Sequence, residues 1–117
     1  MNQMYNDVAT FIEACDQQKN VNNQFLYRDL VKEEYDEFIH AKDMEEELDA
    51  CMDMIWVILG YCYMRGYNVN GAWEEVARSN LSKIDALTGK VHKREDGKVL
   101  KPEGWTPPDL LRFLPQK

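Results

Sequence analysis

The acidic residues of this chain stand where acidic residues are hardest to explain. A helix drawn from about Gln24 to Ala41 carries an apolar face marked by Leu26, Leu30 and Phe38. Glu34 falls four residues after Leu30 and four before Phe38, in the middle of that face. Glu37, seven after Leu30, shares it, and Glu33, seven after Leu26, lies at its edge. Asp29, Lys32 and Asp36 take the solvent side. The next helix repeats the anomaly. Glu46, Asp49 and Asp53 lie at i, i+3 and i+7, within an arc of about 60°, on a stripe continued by Trp56, Val57 and Gly60. Asp53 sits between Met52 and Met54 in a stretch with no other charge.

A buried carboxylate without a partner must protonate, pair with a cation or bind a metal. Lys32 faces away and Lys42 stands at a helix end, which leaves a hard divalent cation as the better partner. Magnesium takes oxygen ligands, keeps several waters, and commonly bridges carboxylates to phosphates. On a further helix Val76, Asn80 and Ile84 are spaced i, i+4, i+8, and Lys83 is seven after Val76. That spacing sets an amide and an ammonium beside an apolar face, where they can meet an anion brought in by the metal.

The elements that must position these groups are four helices. The first runs from about Gln3 to Gln17 on Tyr5, Val8, Phe11, Ile12 and Cys15, and Asn20, Asn22 and Asn23 end the pattern. The second is the one already drawn, and the third opens near Asp43 or Met44 and closes at Gly66. The fourth, roughly Ala72 to Leu87, follows an N-cap signal at Asn70-Gly71 and carries a Glu74→Arg78 pair. From Cys51 to Met64 the third helix is apolar around nearly its whole circumference, more than one neighbour can cover. A second copy of the chain is the expected cover, giving a homo-oligomer, a dimer or a tetramer. After Gly89 a short hairpin is expected around Asp96-Gly97, then a proline-broken stretch and a last helical turn within Asp109–Leu114. The expected organisation is one helical domain over 1–88 and a basic, proline-containing tail over 89–117 packed on the same domain.

Composition sets the outer limits. The 117 residues carry a net charge of -7, which argues against a nucleic acid polymer or an anionic membrane as partner. From Asp29 to Asp53 there are eleven acidic residues against two basic ones, whereas Lys90 to Lys101 holds five basic against Glu95 and Asp96. The longest apolar run, Met54 to Met64, is broken by Gly60 and is shorter than the roughly 20 residues a bilayer needs. The opening residues are polar and amphipathic, and three cysteines without metal or redox spacing read as thiols of a reducing cytosol. The expected location is therefore cytoplasmic.

Glu33-Glu34-Tyr35-Asp36-Glu37 resembles the EExxE element of the all-α nucleoside triphosphate pyrophosphohydrolases, the MazG-like superfamily. Glu46, Glu47, Leu48 and Asp49, followed by Asp53, resemble its second acidic element, and Asn80-Leu81-Ser82-Lys83 its Asn-x-x-Lys element. The tail, with Asp96-Gly97-Lys98 and Pro107-Pro108-Asp109-Leu110, looks like that of a short phage and bacterial branch. Two departures stand out: the short gap between Glu37 and Glu46, and Ala50 where the pattern has Glu three residues before the final Asp.

The resemblance implies an all-α bundle of four to five helices with an extended or hairpin tail, assembled as a homo-oligomer. It implies hydrolysis of a nucleoside triphosphate between the α- and β-phosphates, with a lean toward purine deoxynucleotides such as dGTP. Glu34, Glu37, Glu46, Asp49 and Asp53 are then the metal ligands for two or three Mg²⁺ or Mn²⁺ ions, and Glu33 the general base. Asn80, Lys83, Arg94 and Lys98 are the substrate contacts, Lys93, Arg94, Lys98 and Lys101 are candidates for a closing tail, and Phe11, Asp16, Gln17 and Gln18, on the first helix and its exit, are the candidates for base recognition. Two other readings remain open. Glu37-Phe38-Ile39-His40 is the Glu-x-x-His step of di-iron carboxylate bundles, which use two such steps. A helical dimer that binds a nucleotide without turnover is the other.

Overall fold

The computed structural model describes residues 2–115. Its regular structure is α-helical: α1 Asn2–Ala14, α2 Val21–Ile39, α3 Met44–Arg65 and α4 Val69–Leu81, with a 3-10 turn at Leu111–Phe113. Among the described residues there is no strand, only two isolated antiparallel bridges, Ile84 with Val91 and Lys93 with Val99. The residues fall into two compact units, 2–69 with 115, and Asn70–Leu114.

In the first unit α2 and α3 form an antiparallel hairpin over a short connection. The Asn20 side chain accepts from the Asn23 N–H at 2.8 Å and caps α2, which begins at Val21 rather than near Gln24. The asparagines that break the apolar pattern therefore lie at the cap and in the first turn: the Asn20 side chain satisfies a helix-end amide, and Asn23 Nδ2 donates to the Gln18 carbonyl at 2.7 Å. Helix α3 is capped by Asp43, whose Oδ1 accepts from the Glu46 N–H at 2.8 Å. Glu46 reaches back in turn, its Oε2 accepting from the Lys42 N–H at 2.7 Å, a reciprocal arrangement close to a capping box. The helix ends at Gly66, whose φ of 74° and N–H to the Tyr63 carbonyl close the last turn as expected.

The buried core of this unit is Val8, Ile12, Tyr27, Val57, Leu59 and Met64. The buried face of α2 is centred on Tyr27, not on Leu26, which is exposed. Tyr27 donates its hydroxyl to Gln17 Oε1 at 2.6 Å, so an aromatic that sequence periodicity leaves at the margin serves as the pivot. Its ring packs against Gly60, where an added Cβ would collide with it. On α3 the buried positions are Ala50, Val57, Leu59, Gly60 and Met64, while Leu48, Met52, Ile55 and Ile58 remain exposed.

In the second unit α4 ends at Leu81, short of the expected Leu87. The Ser82 hydroxyl takes the Ser79 carbonyl at 2.7 Å, and Ile84 is drawn into its bridge with Val91. Asn70 and Gly71 lie within the first turn of α4, which starts at Val69. The buried residues of α4 are Glu75 and Ser79, whereas Asn80 and Ile84 are exposed. The tail explains that choice. Ser79 Oγ donates to the Thr106 carbonyl at 2.9 Å, Trp105 Nε1 donates to the Ser79 carbonyl at 2.7 Å, and the Asp109 N–H donates to Glu75 Oε2 at 2.7 Å. Arg78 pairs bidentately with Glu75, at 2.8 and 3.0 Å, in place of the expected Glu74.

Candidate active site

The contact between Tyr27 and Gly60 fixes the register of the two central helices. Seven residues, about 10 Å of helix, separate Tyr27 from Glu34 on α2 and Gly60 from Asp53 on α3. Because the helices are antiparallel, both steps run the same way in space and bring Glu34 opposite Asp53. Glu37 lies one turn beyond Glu34 on the same side. One carboxylate oxygen from each of Glu34, Glu37 and Asp53 falls within 4.8 Å of the other two.

Glu34 and Asp53 are half-buried, and Glu37 is exposed at the mouth of the cluster. Burial, followed by a hydrogen bond and the negative charge from Glu37 and the charges of Asp53 and Glu33, pushes the Glu34 carboxyl up to about 7. Asp53 is raised as well, first by burial and then by Asp49 and Glu37. Glu34 Oε2 is buried without a hydrogen-bond partner among the described residues. None of the ion pairs among those residues involves any of the three acids.

These observations fit a divalent cation. Oxygens sharing one Mg²⁺ at ~2.1 Å stand roughly 3 to 4 Å apart, a spacing small side-chain movements reach from this geometry. A cation would also supply the partner that Glu34 Oε2 lacks and offset the mutual repulsion of the acids.

The other expected residues divide by position. Asp49 and Glu46 are exposed and line, with Glu37, His40, Lys42 and Ala50, a cleft of about 370 Å³ beside the cluster. Glu46 is already engaged by the Lys42 amide, so its carboxylate braces the start of α3. Ala50, where the acidic pattern has Glu, is buried at 3% exposure, too enclosed for a charged side chain. Glu33 is exposed and borders a surface groove with Lys32, Asp36 and Glu37. His40 does not join the carboxylates: its Nδ1 meets the Asp36 carbonyl oxygen at 2.8 Å. Phe11 packs edge-on against Trp56, their centroids 5.7 Å apart, and Gln17 is held by Tyr27.

Asn80, Lys83, Arg94 and Lys98 belong to the second unit. Lys83 Nζ donates to Asn80 Oδ1 at 3.1 Å. Arg94 is paired with Asp96 at 2.6 Å across the Gly97 turn, and Lys98 is exposed on the same loop. Sequence periodicity missed Tyr27, Glu75 and Trp105, and it placed Gly60 on the inward stripe without showing that a ring would pack on it. A signal existed for Gly60, since glycine inside a helix costs about 1 kcal/mol relative to alanine and so asks for a packing reason.

Helices that converge acids in this way define an all-α protein with a candidate site for a divalent cation, and the match to a family of the MazG-like superfamily says which kind. Residues 6–80 match the phosphoribosyl-ATP pyrophosphohydrolase family, and the chain belongs to it. The matched span includes Glu33, all five expected metal ligands and Asn80, and ends before Lys83 and the tail. Comparison with curated proteins gives no match. The chain is thus a hydrolase acting on a nucleotide pyrophosphate linkage.

Proposed function

We propose that this protein hydrolyses the α–β linkage of a nucleoside triphosphate, giving the monophosphate and pyrophosphate, with Mg²⁺ or Mn²⁺ held at Glu34, Glu37 and Asp53. The observation that carries the reading is the convergence of these acids around the unpartnered Glu34 Oε2, within the span matched to the family. Asp49, together with the Glu46 oxygen that the Lys42 amide leaves free, completes the ligand set for a second or third ion. When bound, the cations neutralise charge on the phosphoryl oxygens and the leaving pyrophosphate and lower the pKa of a water.

The chain's own groups do the rest. Glu34, Glu37 and Asp53 would hold the cations that position the polyphosphate. Glu33, exposed and adjacent to Glu34, accepts the proton of the attacking water. The bridging P–O bond breaks, and its electron pair leaves with the departing phosphate oxygen. Asn80 and Lys83 contact phosphate, with Arg94 and Lys98 following from the tail. Purine deoxynucleotides such as dGTP are the leading substrates. The family description favours a second reading, phosphoribosyl-ATP itself, which carries the same linkage.

The enzyme works as a dimer or tetramer, a state supported by Leu48, Met52, Ile55 and Ile58 standing exposed along α3. The helical segment 1–88 and the basic tail 89–117 serve one nucleotide-handling function. No helix among the described residues is long and apolar enough to cross a membrane. The cysteines are free, in keeping with a cytoplasmic site of action.

The test is a panel of NTPs, dNTPs and phosphoribosyl-ATP with Mg²⁺ or Mn²⁺, scored for pyrophosphate and monophosphate. At least one substrate is expected to turn over, and chelation or Glu34→Gln to stop it. Absence of pyrophosphate from every substrate would sink the proposal.

A further inference from the structure

The second unit holds a cluster that the three-carboxylate site leaves unexplained. The Lys83 Nζ lies 5.1 Å and the Lys101 Nζ 4.8 Å from the centre of the Trp105 ring, so two ammonium groups are gathered at one indole. Two like charges so placed repel, and among the described residues neither lysine has a carboxylate at ion-pair distance. The arginines of the unit are matched, Arg78 and Arg112 by Glu75 and Arg94 by Asp96, whereas its lysines have no ion pair among the described residues; Lys83 and Lys101 differ from Lys90, Lys93 and Lys98 in meeting at one aromatic ring.

The platform itself is firmly built. Trp105 is anchored by its Nε1–H to the Ser79 carbonyl, and its neighbour Thr106 accepts from the Ser79 hydroxyl, which is 1% exposed. A turn closed by the Trp105 N–H on the Pro102 carbonyl at 3.1 Å, with Gly104 at φ 80°, folds the chain back and carries Lys101 to the ring. Lys83 donates to Asn80 Oδ1, so the end of that amide left to a ligand is its donor end.

We propose that Lys83, Lys101 and the Asn80 amide, gathered round Trp105, form an anion cradle for a polyphosphate, in which Lys101 and Trp105 are binding residues supplied by the tail. An oxyanion reached by both ammoniums supplies the negative partner that neither has and accepts charge-assisted hydrogen bonds from each. The indole holds the lysines near the ring face when the cradle is empty. The choice of polyphosphate as the anion rests on the proposed function; the cradle rests on the geometry of the second unit alone.

The experiment uses the full chain with Trp56→Phe and Trp73→Phe, leaving Trp105 as the sole tryptophan, in EDTA so that no metal site contributes. Inorganic pyrophosphate is the probe, followed by Trp105 fluorescence, with chloride at matched ionic strength as control. Saturable binding is expected, weakened about tenfold or more by Lys101→Ala and by Lys83→Ala. Lys90→Ala, an exposed lysine outside the cluster, is expected to leave it unchanged. Retention of the Trp105 indole N–H resonance in Lys101→Ala checks that the tail is still docked.

No saturable signal, or equal weakening by Lys90→Ala, overturns the cradle. Pyrophosphate binding in EDTA by a protein that hydrolyses no nucleotide would uphold the cradle while the proposed reaction fails. Hydrolysis with KM unchanged in Lys101→Ala, together with no pyrophosphate binding, would do the reverse.

Discussion

Glu34 presents an oxygen that is shut off from solvent and meets no donor among the described residues. Its carboxyl, raised from an ordinary 4.5 to about 7, keeps a proton in the metal-free folded protein that the unfolded chain has released. The stabilising contribution of that proton is full below about pH 4.5 and is lost as pH rises through 7. Thermal unfolding in EDTA is therefore expected to show a melting temperature that declines from pH 5 to pH 8, with a flatter profile for Glu34→Gln. Mg²⁺ should restore stability at pH 8 in the native protein only, and its binding near pH 7 should release protons measurable by calorimetry in two buffers. Hydrolysis by Glu34→Gln should fall on the order of 10²-fold or more. Glu75 behaves in the opposite sense. Arg78, then the Asp109 amide and Arg112, hold its carboxyl at about 2, so its contribution is present above about 4.5 and lost as pH falls toward 2. Acid, or Glu75→Gln at neutral pH, should free the tail, seen as faster hydrogen exchange at the Trp105 indole N–H.

The decisive feature among the elements is the close approach of α2 to α3 at Tyr27 and Gly60. Gly60→Ala puts a methyl group into the Tyr27 ring and forces the helices apart, at a cost of about 1–3 kcal/mol. Because Glu34 and Asp53 are two turns from that contact, the same change should also weaken metal binding, read by Mn²⁺ titration. Tyr27→Phe removes the hydrogen bond to Gln17, about 1 kcal/mol, without changing the helix spacing, and should leave Mn²⁺ affinity intact. If both variants lose stability equally and neither changes Mn²⁺ affinity, the register argument fails. Glu34 and Asp53 were legible as inward-facing from their phase alone, whereas Glu37, Glu46 and Asp49, expected on the same faces, are exposed. The pivot was not, because a tyrosine beside a leucine and a glycine in an apolar run carry no periodic signal of which will meet.

For the whole molecule, the question is what covers α3. Leu48, Met52 and Ile55 are 62%, 49% and 36% exposed along one side of the helix, on the element that also carries Asp49 and Asp53. A second copy over this face is the expected cover, so Met52→Lys should shift the sedimentation of the protein toward monomer while its far-ultraviolet dichroism is retained. A native protein that sediments as a monomer at micromolar concentration would refute the assembly.

The sequence by itself determined the helical class and the stop at Gly66, and it set Glu34, Glu37, Glu46, Asp49 and Asp53 apart as candidate ligands. These follow from local spacing, capping chemistry and the cost of placing charge on an apolar face. It could not decide among those acids, because helical phase says which way a residue points and not what stands opposite. Tertiary structure made that choice: packing at Gly60 joined Glu34 and Asp53, capping drew Glu46 to the Lys42 amide, and burial left no room for acid at Ala50. It likewise turned Glu75 and Ser79 inward on α4, where periodicity favoured Val76 and Ile84, because the tail supplies the donors and acceptors that make buried polar groups tolerable.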